Sequence, residues 1–249
     1  MITLSALYVF GVIFVAGMLQ TITGFGFALV AAPLLTFALS PKEAVIAVLF
    51  VGIMMKGFMV YKTWRDGAFA RIVLVFAASV LGALPGAYVL RVVSDGALKV
   101  FIGLTLVLVT LAMYANYSVT IRRHGLAKSA VGFLSGFLGA TTSFNGPPLV
   151  LYMMNEGEDK TTMRADLARY FFLGNATTLV IAYFMGTVSA DRLGGIAAVA
   201  LPAILLSWWL GEKLFARVDA ALFRRIALGV ISLSGLVTCG LGLWPLIRG

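Results

Sequence analysis

Two short polar sequences interrupt long apolar stretches of this chain, and their side chains could hold a small anion. They lie about 120 residues apart. The first contains Gln20, Thr21, Thr23, Gly24, Phe25 and Gly26, and the second contains Thr141, Thr142, Ser143, Phe144, Asn145 and Gly146. Hydroxyls and amides supply hydrogen-bond donors, and glycine lets the backbone approach a ligand closely. Both interruptions are therefore candidate parts of a substrate-binding site.

A helix that restarts after each interruption would add free backbone N–H groups and the positive end of its dipole. Thr23 or Gly24 could lead into a helix over 27–39. Asn145 could cap a helix with Pro147 in its first turn, where proline is well tolerated. Phe25 and Phe144 stand at equivalent positions in the two interruptions. Each could form part of the pocket wall or could pack against lipid or the protein core, and the sequence favours neither role.

Three further polar residues lie within or beside apolar segments. Lys56 is several residues from the end of its segment, where it could face the interior and serve function or extend its ammonium to the interface. Asn175 occupies about the equivalent place in the second half. Arg169 could bind or gate an anion, or could pair with Asp166 three residues earlier on the same helix face.

Composition places the chain among integral membrane proteins. It is 61% hydrophobic and 12% charged, whereas soluble domains carry roughly 25% charged residues. The net charge of +9 comes without a basic, aromatic-rich polar domain, so nucleic acid is not an expected partner. A single cysteine, Cys239, excludes an intrachain disulfide or cysteine metal site. No cofactor motif and no metal-ligand cluster is recognisable.

The hydropathy pattern predicts an all-α membrane protein with 8–10 membrane segments. The expected full spans are 44–61, 70–90, 98–117, 167–186, 193–211 and 223–244, each near the ~20 residues that cross a bilayer. Regions 4–39 and 127–154 each hold two apolar arms around an interruption, and we expect helical hairpins there. The arms are 4–20 and 27–39 in the first region, and 127–138 and 146–155 in the second. A re-entrant hairpin and two short tilted spans fit the sequence equally.

Basic residues predict the orientation. With this topology, loops on one side carry 13 Lys and Arg, against 5 on the other, and Lys56 lies within a span. The richer side, which includes 62–71, 118–128, 156–169 and 212–225, should be cytoplasmic. Both termini should then lie outside a bacterial inner membrane.

Residues 1–120 and 121–249 read as two repeats within one membrane domain. Each has one broken hairpin and three spans, so the number of crossings per half is odd and the second half should be inverted relative to the first. The two interruptions would then meet near the midplane, as in secondary transporters. Gly82-x3-Gly86 and Gly132-x3-Gly136, by contrast, fit close helix packing.

Several short motifs resemble the TauE/SafE family, the sulfite exporter and 4-toluene-sulfonate-uptake group. They are Gly24-Phe25-Gly26-Phe27, Ser40-Pro41-Lys42-Glu43-Ala44, Gly82-Ala83-Leu84-Pro85-Gly86-Ala87, Asn145-Gly146-Pro147-Pro148 and Met163-Arg164-Ala165. The resemblance covers nearly the whole chain. The second glycine-rich turn departs from the family pattern, because it has only one glycine at its core. It implies a carrier of small sulfur-containing anions such as sulfite or organosulfonates.

The leading functional hypothesis is alternating access around one midplane anion site, with export as the favoured direction. An anion channel of the same fold and proton- or sodium-coupled uptake of another small organic anion stay open. An intramembrane enzyme is disfavoured, since the only histidine is in a loop and no carboxylate is central. Membrane lipid is an expected partner, and the chain could act as a monomer or a homodimer.

Overall fold

The computed structural model describes residues 4–23, 26–63, 65, 69–114, 124–155, 160–188 and 190–215, together with 229, 232–233 and 235–243. Regular secondary structure in these residues is entirely helical. The helices are α1 (Leu4–Thr23), α2 (Phe27–Leu35), α3 (Pro41–Lys62), α4 (Phe69–Val92), α5 (Asp95–Tyr114), α6 (His124–Thr142), α7 (Gly146–Asn155), α8 (Lys160–Phe184) and α9 (Ala190–Phe215). Helical residues 235–243 lie in the last apolar run.

Five described helices are long and apolar enough to cross a membrane: α1, α3, α4, α5 and α9. Helix α8 has 25 residues, which is long enough, but its first ten positions include four charged residues. The prediction of an all-α membrane protein is confirmed. The inverted relation of the two halves stays a prediction.

The two helix breaks are shorter than the sequence suggested. Helix α1 continues to Thr23 and α6 to Thr142, so only residues 24–26 and 143–145 separate each long arm from its short partner. We expected the arms to end near 20 and 138. The helices accommodate these polar residues because a threonine hydroxyl can bond the carbonyl four residues back, as Thr142 does to Leu138 at 2.7 Å.

Helices of the two halves exchange partners. Helix α1 packs along α9, and α6 packs along α4, while α3 crosses α8. The α4–α6 contact is glycine-lined: a Cβ on Gly86 would come within 2.6 Å of the Phe137 carbonyl oxygen, and one on Gly136 would overlap the Ser79 carbonyl. The two small-residue motifs therefore serve close packing, as the sequence indicated.

Helix α3 carries Lys56 into the interior from a firmly fixed start. Ser40 caps the helix, and its hydroxyl accepts from the Glu43 backbone N–H while the Glu43 carboxylate accepts from the Ser40 N–H. Pro41 occupies the first helical position, where its fixed φ suits the helix. Lys56 lies six residues before the helix end, about 9 Å along the axis.

Candidate functional site

Both helix breaks border one cavity, here called the central cavity. Helices α3 and α8 complete its wall. The residues that line it are Gln20, Gly26, Phe27, Ala28, Leu29, Val48, Leu49, Gly52, Met55, Lys56, Ser143, Phe144, Asn145, Gly146, Pro147, Phe171 and Asn175. The structure thus brings both polar interruptions to one place.

The first break contributes backbone groups. Gly26, directly before α2, has φ 101°, a left-handed conformation that glycine adopts without strain. The Phe27 N–H donates to Gln20 Oε1 at 3.3 Å, so Gln20 ties the end of α1 to the start of α2. Ala28 and Leu29 follow in the first turn, where N–H groups have no partner within the helix.

The second break contributes side chains. Ser143 has φ 63°, unusual for a residue with a Cβ, and this turn ends α6. Asn145 donates from Nδ2 to Asn175 Oδ1 at 2.8 Å, which connects the break to α8. Pro147 has no N–H, and Pro148 follows it, so the first turn of α7 offers few backbone donors.

Lys56 is the only charged residue among the described residues that line the central cavity. Its side chain is buried, with 5% of the residue exposed, and its ammonium lies 5.0 Å from the centre of the Phe171 ring. Asn175, also buried, packs against Gly52 on α3. A cation beside amides and helix N-termini is a set of groups suited to a small oxyanion.

Several expected site residues lie elsewhere. The Thr21 and Thr141 hydroxyls donate to backbone carbonyls within their own helices, both at 2.9 Å, and Thr142 does the same. None of these three threonines lines the central cavity. The Thr142 hydroxyl also accepts from the Phe144 N–H at 3.3 Å, so it supports the turn. Gly24, Phe25 and the Thr23 side chain lie outside the described residues.

Arg169 also lies away from the central cavity. Its guanidinium donates to the Thr63 carbonyl at 3.1 Å and lies 3.4 Å from the Asp166 carboxylate. Arg71 on α4 approaches the same carboxylate at 3.9 Å. These contacts join the end of α3, the start of α4 and the first turns of α8, so the ion pair weighed from the sequence is present.

Neutralising Asp166 should destabilise the protein. Its carboxylate is fully buried beside Arg169, and removing one partner of a buried pair typically costs about 3–5 kcal/mol. We expect Asp166→Asn to lower the unfolding temperature in detergent by several degrees. Arg71→Gln is the control, because the Arg71 side chain is half exposed and exposed pairs contribute about 0–1 kcal/mol. An equal fall in unfolding temperature in both variants would show that burial does not determine how much each charge contributes to stability.

Sequence reasoning missed the apolar part of the wall, in particular Gly52, Met55 and Phe171. One signal was available. Asn175 and Phe171 each follow their counterparts Lys56 and Gly52 by 119 residues, the same spacing as the polar breaks. The α3–α8 contact brings Lys56 beside Phe171 and Gly52 beside Asn175.

Apolar helices long enough to cross a membrane, together with Lys56 buried in a cavity that two helix breaks border, are typical of multi-pass membrane transporters. Residues 9–238 match the family model described as sulfite exporter TauE/SafE, and the chain belongs to this family. It is 26% identical over 230 residues to a protein of Cupriavidus necator named "Probable sulfite/organosulfonate exporter TauE", covering 85% of each chain. No solved structure matches the chain.

Proposed function

We propose that this protein exports small sulfur-containing anions, sulfite or organosulfonates, across the bacterial inner membrane. The observation that carries the proposal is the position of Lys56, buried in a cavity that both helix breaks border. Ionisable residues within membrane-spanning helices usually face the protein interior and serve function. The name of the Cupriavidus necator relative supports the same substrate class.

Alternating access of the two halves around the central cavity is the mechanism we propose. The exchange of partners, α1 with α9 and α6 with α4, is what a two-fold relation between inverted halves would produce. Gln20 and Asn145 would link substrate binding to helix position, since each connects a break to a neighbouring element. Arg169, which lies outside the cavity, would act as part of a gate at the cytoplasmic ends of α3 and α8.

Efflux of an anion can be driven by the membrane potential alone. When an anion leaves a cytoplasm that is electrically negative, its free energy falls by about 2.3 kcal/mol per charge per 100 mV. Uptake coupled to a proton or sodium gradient is the opposing possibility. Coupled uptake would require an imposed proton or sodium gradient, whereas potential-driven export would not.

Counterflow in proteoliposomes tests the proposal. Vesicles preloaded with unlabelled sulfite should accumulate labelled sulfite transiently, and flux should saturate as the external concentration rises. An inside-negative potential should accelerate efflux. Unitary currents in a planar bilayer would instead assign a channel, and absence of flux for both sulfite and simple sulfonates would reject the substrate class.

A further inference from the structure

Among its described lining residues, the central cavity has a single charged group and a largely apolar wall. Lys56 supplies the only formal charge among the described lining residues, and the other polar side chains there are neutral amides and a hydroxyl. Much of the remaining wall is hydrocarbon or aromatic, including Met55, Phe144 and Phe171. Phe144 is completely buried. The cavity therefore suits a ligand that is itself polar on one side only.

The energetic cost of burying a ligand rises more steeply than in proportion to its charge. Removing an ion from water has an energetic cost that grows as the square of its charge, whereas attraction to a fixed cation grows only in proportion to it. One lysine therefore compensates a monoanion far better than a dianion. Arg164 acts electrostatically on Lys56, but its side chain is exposed, where water and salt screen it.

The helix N-termini add partial positive charge, but not enough to compensate a dianion as well as a monoanion. In α2 the first N–H is already used by Gln20. In α7 the residues after Gly146 are Pro147 and Pro148, which have no N–H to donate. Few backbone donors thus remain for additional oxygens.

Shape discriminates in the same direction. A sulfonate –SO₃⁻ group presents three oxygens on one side and carbon on the other, so its apolar side could face the aromatic wall. Sulfate has a fourth oxygen, which would face that wall without a hydrogen-bond donor, and a buried oxygen left unpaired weakens binding.

We propose that the central cavity selects monoanions of the type R–SO₃⁻ with an uncharged R, including hydrogen sulfite, and discriminates against dianions such as sulfate. This selectivity rests on the proposed function, because it concerns the same site. It also predicts that isethionate, with a neutral hydroxyl tail, binds better than sulfoacetate, whose tail carries a second charge.

Methanesulfonate and sulfate form a matched pair of similar size for the test. We would measure dissociation constants on the full-length protein in nanodiscs at fixed pH and ionic strength. We expect methanesulfonate to bind at least about tenfold more tightly, equivalent to about 1.4 kcal/mol. Equal or tighter binding of sulfate would overturn the selectivity while leaving the proposed function in place.

Adding a second cation should weaken the preference for the monoanion. Asn175 faces the same cavity at the position equivalent to Lys56, so Asn175→Lys should strengthen sulfate binding relative to methanesulfonate by about tenfold or more. An unchanged ratio in a folded variant would contradict the charge argument. If Asn175→Lys does not fold, the wild-type comparison still decides. Failure of sulfite and of every sulfonate to bind would reject the proposed function, and this inference with it.

Discussion

Replacing Lys56 by methionine should nearly abolish substrate binding. Methionine keeps much of the length and apolar stem of lysine but removes the only charge on the described lining of the central cavity. Truncating one partner of a buried charge pair typically costs about 2–5 kcal/mol, so the dissociation constant should rise by a factor between about 30 and several thousand. Dissociation constants for sulfite or methanesulfonate in nanodiscs, together with counterflow, would measure the effect.

Lys62→Met on the same helix is the matched control. Lys62 lies at the exposed end of α3 and pairs with Glu212 at 2.7 Å, away from the central cavity. Its loss should leave affinity nearly unchanged, since exposed pairs contribute little. If Lys56→Met folds and binds like the wild type, Lys56 is a structural residue whose ammonium is satisfied by the protein alone.

Gly136→Ala should have the largest effect on folding. Helices α4 and α6 approach so closely there that an added Cβ would overlap the Ser79 carbonyl oxygen, which is backbone and cannot rotate away. Overpacking of a tight interface costs about 1–3 kcal/mol or more, and this contact leaves little room to relax. We expect a sharply reduced yield of monodisperse protein and a lower unfolding temperature.

Gly125→Ala provides the comparison within the same helix. A Cβ on Gly125 meets nothing within 4 Å, so alanine there should be neutral or stabilise α6 by up to about 1 kcal/mol. If Gly136→Ala were as stable as Gly125→Ala, the helices would have to be further apart than the structure places them.

The two glycine motifs show what sequence patterns can predict well. Spacing alone indicated that Gly82, Gly86, Gly132 and Gly136 allow close packing, because small residues one turn apart share a helix face. Which helices would pack together was not predictable, since Gly86 and Phe137 are 51 residues apart and helical periodicity carries no information about partners.

The polar breaks show the limit of the same reasoning. Their composition indicated donors, but each threonine hydroxyl can either face a ligand or bond its own helix. The choice depends on where the helix ends, and a shift of one residue rotates a side chain by about 100°. Helix α1 ends at Thr23 and α6 at Thr142, so the threonine hydroxyls at positions 21, 141 and 142 bond backbone carbonyls, and Ser143 and Asn145 line the cavity.

The sequence by itself determined the class of protein, the places where the helices break and the polar residues at depth. These follow from local composition, because lipid imposes hydrophobicity and length on every spanning helix. Tertiary structure decided the cavity. Contacts between α3 and α8, more than 100 residues apart, bring Lys56 beside Phe171. A separate contact between the second break and α8 brings Asn145 to Asn175. The α3–α8 contacts also place Arg169 against the Thr63 carbonyl at the end of α3, because side-chain neighbours across a helix crossing depend on packing angles that no local pattern encodes.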